Sequence, residues 1–243
     1  NSVTDVAGIT SSDANATLPS NAALVGGTKT FSVTLKTAGS KTVTASDITD
    51  GAKTASTSPA TTVNTGTFTK LQVLLPGETA DPGSAGGKTG TASTQTAGTS
   101  FNITVNAVDA DWNLISSITD VAGITSSDAN ATLPSNAALV AGTKTFSVTL
   151  KTAGSKTVTA SDITDAGKTA NTSSSITVNA GAANKLQLLV PGETADPGSA
   201  TGKTGTPTTQ PGGTAFTVTV NAVDVNWNLV SSVTDVAGIT SSD

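Results

Sequence analysis

The 243-residue chain contains no cysteine, methionine, histidine, tyrosine or arginine. Each absence removes a class of function. Without cysteine there is no disulfide, no thiol nucleophile and no thiolate metal ligand. Without histidine the commonest general base is missing. Aromatic residues are few, five phenylalanines and two tryptophans. Charge is sparse and acidic, 12 lysines against 17 carboxylates for a net charge of −5. Nucleic-acid binding needs a basic stripe, and none is present. No apolar run approaches the ~20 residues that span a bilayer, and no signal peptide is visible. Loss of Cys, Met and Tyr together also removes oxidisable side chains, which suits long life outside a cell.

What is present is repetition. The stretch from Thr4 to Asp50 returns at Thr119 to Asp165 with one change, Gly26 to Ala141, and begins again at Thr234. Asp5, Asp120 and Asp235 mark a constant period of 115 residues. Overlaying 1–128 on 116–243 leaves 27 differences in 128 positions. A period of this length fits one domain, so the chain reads as a tandem array.

Boundaries are expected where alternation fades and the copies diverge. Between Val63 and Lys70 the residues Thr65, Thr67, Phe68 and Thr69 become Ala180, Ala182, Ala183 and Asn184. Linkers placed there give a complete repeat at 66–180, the back part of another at 1–65 and the front part of a third at 181–243. Both chain ends fall in mid-period, as expected of a window on a longer array.

Within the complete repeat, strand signals recur and helix signals do not. Lys70–Leu75 ends at Pro76-Gly77, and Ser100–Val108 alternates Phe101, Ile103, Val105 and Ala107 against polar residues. Leu114–Ile118 and Val121–Thr125 are shorter candidates. Lys144–Leu150 aligns Phe146, Val148 and Leu150, and Ala153-Gly154-Ser155 is expected to turn the chain into Lys156–Ala160. Ser175–Val178 closes the unit. About seven Thr- and Val-rich strands predict an all-β fold of tandem immunoglobulin-type β-sandwiches. Phe101, Phe146 and Trp112 are expected in the core.

Several motifs invite chemistry. Gly83 to Thr89 (GSAGGKT) imitates a phosphate loop, but Pro82 stands where the signature needs glycine and no helix follows; a flexible glycine-rich loop is the better reading. Asp109, Asp111 and Asn113 at alternate positions, with Asp120 at the twelfth, begin a calcium-loop pattern. Leu114 occupies its turn position, and the second copy carries Asp224, Asn226 and Asn228, one charge fewer. Capping of a turn by its own Asp and Asn side chains is the alternative. Trp112 and Trp227 could stack on sugars or pack over the end of a sandwich. Glu78 and Glu193 are the only glutamates, and a Lys–Glu–Asn trio could in principle form an isopeptide bond. Asn15, Asn102, Asn130 and Asn171 precede x-Ser/Thr. None of these forms a catalytic, cofactor-binding or metal-binding set, and calcium is the one ion the pattern admits.

TAGTSFNITVNAVDADWNLI, ITSSDANATLP and GTKTFSVTLKTAGSKTVTASD, in this order, resemble the bacterial Ig-like tandem repeats of large cell-surface and extracellular proteins. The resemblance covers nearly the whole period. It implies a structural, non-enzymatic segment of an extracellular filament or surface stalk, self-associating or contacting neighbouring repeats. The alternative is an adhesin module that binds glycan or host protein. One departure is the connection from Pro76 to Gly98, long for such a domain; it recurs from Pro191 to Gly213 and is expected to reach the adjacent repeat.

Overall fold

The computed structural model describes residues 4–242, so Asn1, Ser2 and Val3 of the stretch 1–65 and Asp243 of the stretch 181–243 lie outside the described residues. Among the described residues every regular element is a β-strand. The first stretch holds β1 (Val6–Ser11), β2 (Ala22–Ala23), β3 (Gly39–Lys41), β4 (Val43–Asp47), β5 (Ser56–Thr57) and β6 (Thr61–Val63). The middle stretch opens with β7 (Lys70–Leu74), β8 (Glu78–Ala80), β9 (Lys88–Gly90), β10 (Gln95–Thr96) and β11 (Ser100–Val108). It continues through β12 (Val121–Ser126), β13 (Ala137–Ala138), β14 (Thr143–Thr149), β15 (Gly154–Lys156), β16 (Val158–Asp162), β17 (Asn171–Thr172) and β18 (Ile176–Asn179). The last stretch holds β19 (Lys185–Leu189), β20 (Glu193–Ala195), β21 (Lys203–Gly205) and β22 (Thr219–Val223).

In the middle stretch, β11 is the centre of one antiparallel ladder, flanked by β14 and β7. Its alternating residues set the register: Phe101 lies opposite Val148, Ile103 opposite Phe146, Val105 opposite Val73 and Ala107 opposite Leu71. A second ladder runs β13-β12-β16-β17, and a third pairs β18 antiparallel to β15 and parallel to β10. Side chains from all three meet in one cluster: Leu71, Val73, Ile103 and Val105 with Val158, Ala160, Ile176 and Val178, each at most 2 % exposed. Because strand side chains alternate between faces, one apolar face per ladder is enough to close this core. Each large side chain so buried contributes roughly 1.5–3 kcal/mol against the cost of ordering the chain.

Context decides whether identical sequences form strands. Thr28–Thr34 and Thr143–Thr149 are the same heptapeptide, TKTFSVT, but only the second is a strand. Its partner is β11, and the residues before Thr28 contain no copy of β11. Phe146 and Val148 are accordingly 3 % and 0 % exposed, whereas Phe31 and Val33 are only half-buried. The same holds at the other end, where 236–241 repeats the sequence of β12 without its partner β16 and forms no strand.

The structure departs from the sequence reading in specific places. Twelve short strands, rather than seven, occupy the middle stretch. Leu114–Ile118 is a turn, not a strand, bridged to Val108 at Leu114 and bonded to Ala107 and Gly142. Gly154 and Ser155, expected to form a hairpin turn, lie in β15 and pair with β18, so β14 and β16 belong to different ladders. Two-residue strands such as β13 and β17 carry too little pattern to be read from sequence. Trp112 is half-buried outside the core cluster. Pro76 to Gly98 is no open loop: β8 and β9 pair Glu78 to Ala80 with Lys88 to Gly90, and β10 joins the β18 ladder.

Candidate functional site: the junction between repeats

One set of residues that recurs with the same partners lies where one repeat meets the next. The turn after β11 is built by Asp109. Its Oδ1 accepts the N–H groups of Asp111 and Asn113, each at 2.9 Å, and its Oδ2 accepts the Gly66 N–H at 2.7 Å, tying the linker to the turn. The Asn113 amide completes this cage, donating to Asp109 Oδ2 at 3.0 Å. Asp109 and Asn113 are 4 % and 5 % exposed. Such short side chains close their own turns because they mimic a peptide group two to four residues away.

Held in this way, Asn113 faces the preceding repeat. Its Nδ2 donates to the carbonyl of Lys36 at 2.9 Å, and its Oδ1 accepts the N–H of Ala38 at 2.8 Å. The carboxamide thus pairs with backbone as a neighbouring strand would. The segment it reads is itself fixed by Asp13, whose Oδ2 accepts the N–H groups of Lys36 at 2.7 Å and Thr37 at 2.9 Å. Burial works to raise the Asp13 carboxyl, but hydrogen bonds from Thr37, Lys36 and Asn15 outweigh it and bring it down to about 2.

The β8–β9 connection supplies the other half of the contact. The Pro82 carbonyl accepts Asn15 Nδ2 at 3.1 Å and the Thr37 hydroxyl at 3.0 Å, both from the preceding repeat. Gly83 donates its N–H to the Asp111 carbonyl at 2.6 Å. A Cβ on Gly83 would lie 2.4 Å from Thr37 Oγ1 and 2.9 Å from Asn15 Cβ, at a φ of +86°. Only glycine allows this approach.

At the second junction the set returns. Asn228 pairs with the Lys151 carbonyl at 2.8 Å and the Ala153 N–H at 2.7 Å. Asn130 and Thr152 donate to the Pro197 carbonyl at 3.3 and 3.2 Å, and Gly181 donates to Asp224 Oδ2 at 2.8 Å. The backbone contact survives the Asp111 to Asn226 change, Gly198 donating to the Asn226 carbonyl, while the Asn226 amide nitrogen is buried against Gly98 without an acceptor.

The sequence-derived candidates fall as follows. Of the residues in the calcium pattern, Asp109, Asp111 and Asn113 share one turn in which the Asp109 carboxylate accepts from four donors of its own turn and linker, while Asp120 faces Asp162. No group of three or more acidic side chains able to hold a metal ion is found among the described residues. The Trp112 ring lies under the Lys70 ammonium, 3.4 Å from its centroid, and against Gly87; Trp227, Lys185 and Gly202 repeat this. Both tryptophans hold a left-handed backbone, φ 68° and 67°. The Gly83 to Thr89 segment is the hairpin turn that carries Pro82 and Gly83 to the junction, with Gly83 and Gly87 buried. Glu78 pairs with Lys88 at 2.9 Å and accepts the Ser174 hydroxyl at 2.6 Å, with no asparagine among those partners. Asn171 accepts the Val73 N–H, Asn102 is exposed on β11, and Asn15 and Asn130 belong to the junctions.

A cavity of about 290 Å³ lies at the first junction, lined by residues including Leu35, Val63, Asp109 and Asn113. The Asp109 carboxylate in its wall is held by hydrogen bonds from its own turn and linker, and Lys36 and Asp111 also line it. The sequence reading missed Asp13, Thr37 and Asn113 as a cross-repeat set. The available signal was that the loop Ser11–Ser20 and the positions Asp109, Trp112 and Asn113 are unchanged between copies while the linkers drift.

No protein-family model matches the chain, and no curated protein matches it. Partial likenesses occur among solved structures. The S-layer protein rSbsC aligns at 18 % identity with a TM-score of 0.32, over 94 % of this chain and 24 % of that one. SbsC domains 4–9 align at 19 % identity with a TM-score of 0.29, over 97 % and 30 %. A β-glucuronidase from Parabacteroides merdae aligns at 9 % identity with a TM-score of 0.33, over 72 % and 21 %. This chain therefore spans less than a third of each of these proteins. Likeness at this level assigns neither family nor activity.

Proposed function

We propose that the chain is a structural repeat segment of a bacterial extracellular filament or cell-surface stalk, built from immunoglobulin-like β-sandwich units that join head to tail. The observation that carries this reading is the junction: the same side chains meet the same backbone groups at both places where one repeat adjoins the next. A head-to-tail contact that repeats without closing produces a line, whereas a self-complementary one stops at two. Function then lies in reach and regularity.

The immunoglobulin-like assignment draws support from three ladders, β7-β11-β14, β13-β12-β16-β17 and β10-β18-β15, that share one core, with β10 running parallel to the last strand of the unit. The bounds 66–180 agree with a core whose members lie between Leu71 and Val178. Glycan or host-protein recognition has no comparable support, since the Trp112 and Trp227 rings are engaged by lysine and glycine of their own repeat. Electron micrographs of cells labelled with an antibody against residues 66–180 test the proposal. Label along fibres or a surface layer is expected. Label confined to the cell interior or to dispersed particles would contradict it.

A further inference from the structure

The face of the β7-β11-β14 ladder that turns away from the core is polar, and it is buried at one end only. Along β11 it runs from exposed Ser100 and Asn102 through half-buried Thr104 to Asn106, which is 8 % exposed. Beside Asn106 stands Gln72 of β7, 1 % exposed, between the core residues Leu71 and Val73. Gln72, Asn106 and Thr143 lie directly opposite one another across the three strands. They form a chain of hydrogen bonds that ends on the β8–β9 hairpin. The Thr143 hydroxyl donates to Asn106 Oδ1 at 2.7 Å, Asn106 Nδ2 to Gln72 Oε1 at 3.1 Å, and Gln72 Nε2 to the Gly87 carbonyl at 2.7 Å.

We infer that Gln72 is a positioning residue of the junction, acting through Gly87 to aim the β8–β9 hairpin at the preceding repeat. This rests on the reading of the junction as the fixed joint of an array and names what fixes it. The Gly87 carbonyl that Gln72 reads also accepts the Asp81 N–H at 2.7 Å. Asp81 is followed by Pro82, whose carbonyl meets Asn15 and Thr37 across the junction. The path from the sheet interior to the neighbouring repeat is therefore three hydrogen bonds long. A carbonyl only accepts, so the Gln72 amide must turn its nitrogen toward Gly87; flipped, it would set two oxygens face to face. Asn106 and Thr143 then have one satisfied arrangement each, and a buried amide with a single arrangement fixes direction where an apolar cover of equal size would not. The set recurs at the second junction. Asn221 Nδ2 donates to Gln187 Oε1 at 2.9 Å and Gln187 Nε2 to the Gly202 carbonyl at 2.6 Å, which also accepts the Asp196 N–H at 2.6 Å.

Two substitutions in the 243-residue chain test this, read by nitrogen-15 relaxation and amide hydrogen exchange. Gln72→Leu keeps the side chain buried and removes the amide. The Asp81 and Gly83 amides should then exchange about tenfold faster or more, and 4–65 should tumble independently of 66–180, while the β11 amides keep their protection. Gln72→Glu makes the effect reversible. At about pH 5 a carboxyl kept neutral by burial can donate to Gly87 and accept from Asn106, whereas at about pH 9 it is ionised and has no donor. The two parts should therefore tumble together at the lower pH and separately at the higher. Asp13, held at about 2, stays ionised throughout. A Gln72→Leu chain in which 4–65 still tumbles with 66–180 overturns the inference and leaves the array reading intact. Loss of β11 protection together with the hairpin's overturns it too, because Gln72 would then serve the core. The same holds if Gln72→Glu behaves alike at both pH values. Independent tumbling in the unsubstituted chain would instead defeat the reading of a fixed junction, and the inference with it.

Discussion

Asn113 donates from its side-chain amide to the carbonyl of Lys36, 77 residues earlier in the chain, at 2.9 Å. Asn228 makes the same bond to Lys151 at 2.8 Å. A side chain that plays the part of a peptide group sets distance and direction together, which is what a junction used many times must do.

Removing that group should loosen the junction and, because the same amide donates to Asp109, the turn that carries it. Asn113→Ala leaves the Lys36 carbonyl and the Ala38 N–H without their partner, at a cost of about 1–3 kcal/mol to the contact. Gly83→Ala acts from the other side by forcing a Cβ against Thr37 and Asn15. Nitrogen-15 relaxation should show 4–65 tumbling independently of 66–180 in either variant and together with it in the unsubstituted chain. Asn113→Asp should be the most disruptive, since it sets a carboxylate beside Asp109.

Much of this architecture could be read in the chain, and the exceptions have physical causes. The long alternating run at 100–108 and the apolar positions 146, 148 and 150 give β11 and β14 because one buried face leaves period 2 in the sequence. The same rule is blind to β10, β13 and β17, which are two residues long and held by their surroundings. It also reads Thr28–Thr34 as a strand, because propensity carries no information about whether a partner is present. At the junction, the Asp109–Asn113 turn was legible as capping. Its reach across to Lys36 was not, since contact between units separated by many tens of residues leaves no periodicity.

The identical heptapeptides provide a direct comparison. Phe146→Ala empties a position that is 3 % exposed and should lower the stability of the main unfolding transition by about 3–5 kcal/mol. Phe31→Ala in dilute solution should leave that transition within about 0.5 kcal/mol of the unsubstituted chain. Urea unfolding followed by circular dichroism measures both.

The single change within the longest identical stretch predicts a gain. Val140 and Thr143 exchange N–H and carbonyl bonds across Ala141 and Gly142, whose φ values are 52° and 74°. A two-residue turn of this hand favours glycine or asparagine at both positions. Gly26 satisfies the first at φ 61°, and alanine does not. Ala141→Gly should therefore raise the urea midpoint by an amount equivalent to about 1 kcal/mol.

Acid should act through carboxylates of two kinds, with opposite signs. Asp13 is held at about 2, below its usual 3.8, and Asp128 is shifted in the same direction: burial opposes the shift, and bonds from Thr152, Lys151 and Asn130 prevail. A lowered folded value means stability present above about 3.8 and lost as the pH falls toward 2. Asp120 is raised by burial and by the charge of Asp162, whose buried Oδ2 has no hydrogen-bond donor. Ionising Asp120 above the usual carboxylate range therefore weakens the fold. Asp120→Asn should raise the urea midpoint at pH 7 and have little effect at pH 3, while Asp128→Asn should lower it at pH 7 and flatten the acid limb.

One junction geometry should serve every pair of repeats. Electron cryomicroscopy of a chain carrying eight tandem copies of residues 66–180 measures it directly. The account predicts a straight or regularly wound fibre with one constant rise and rotation per unit. Units that swivel freely about their linkers, or that collapse on one another into a compact particle, would contradict it.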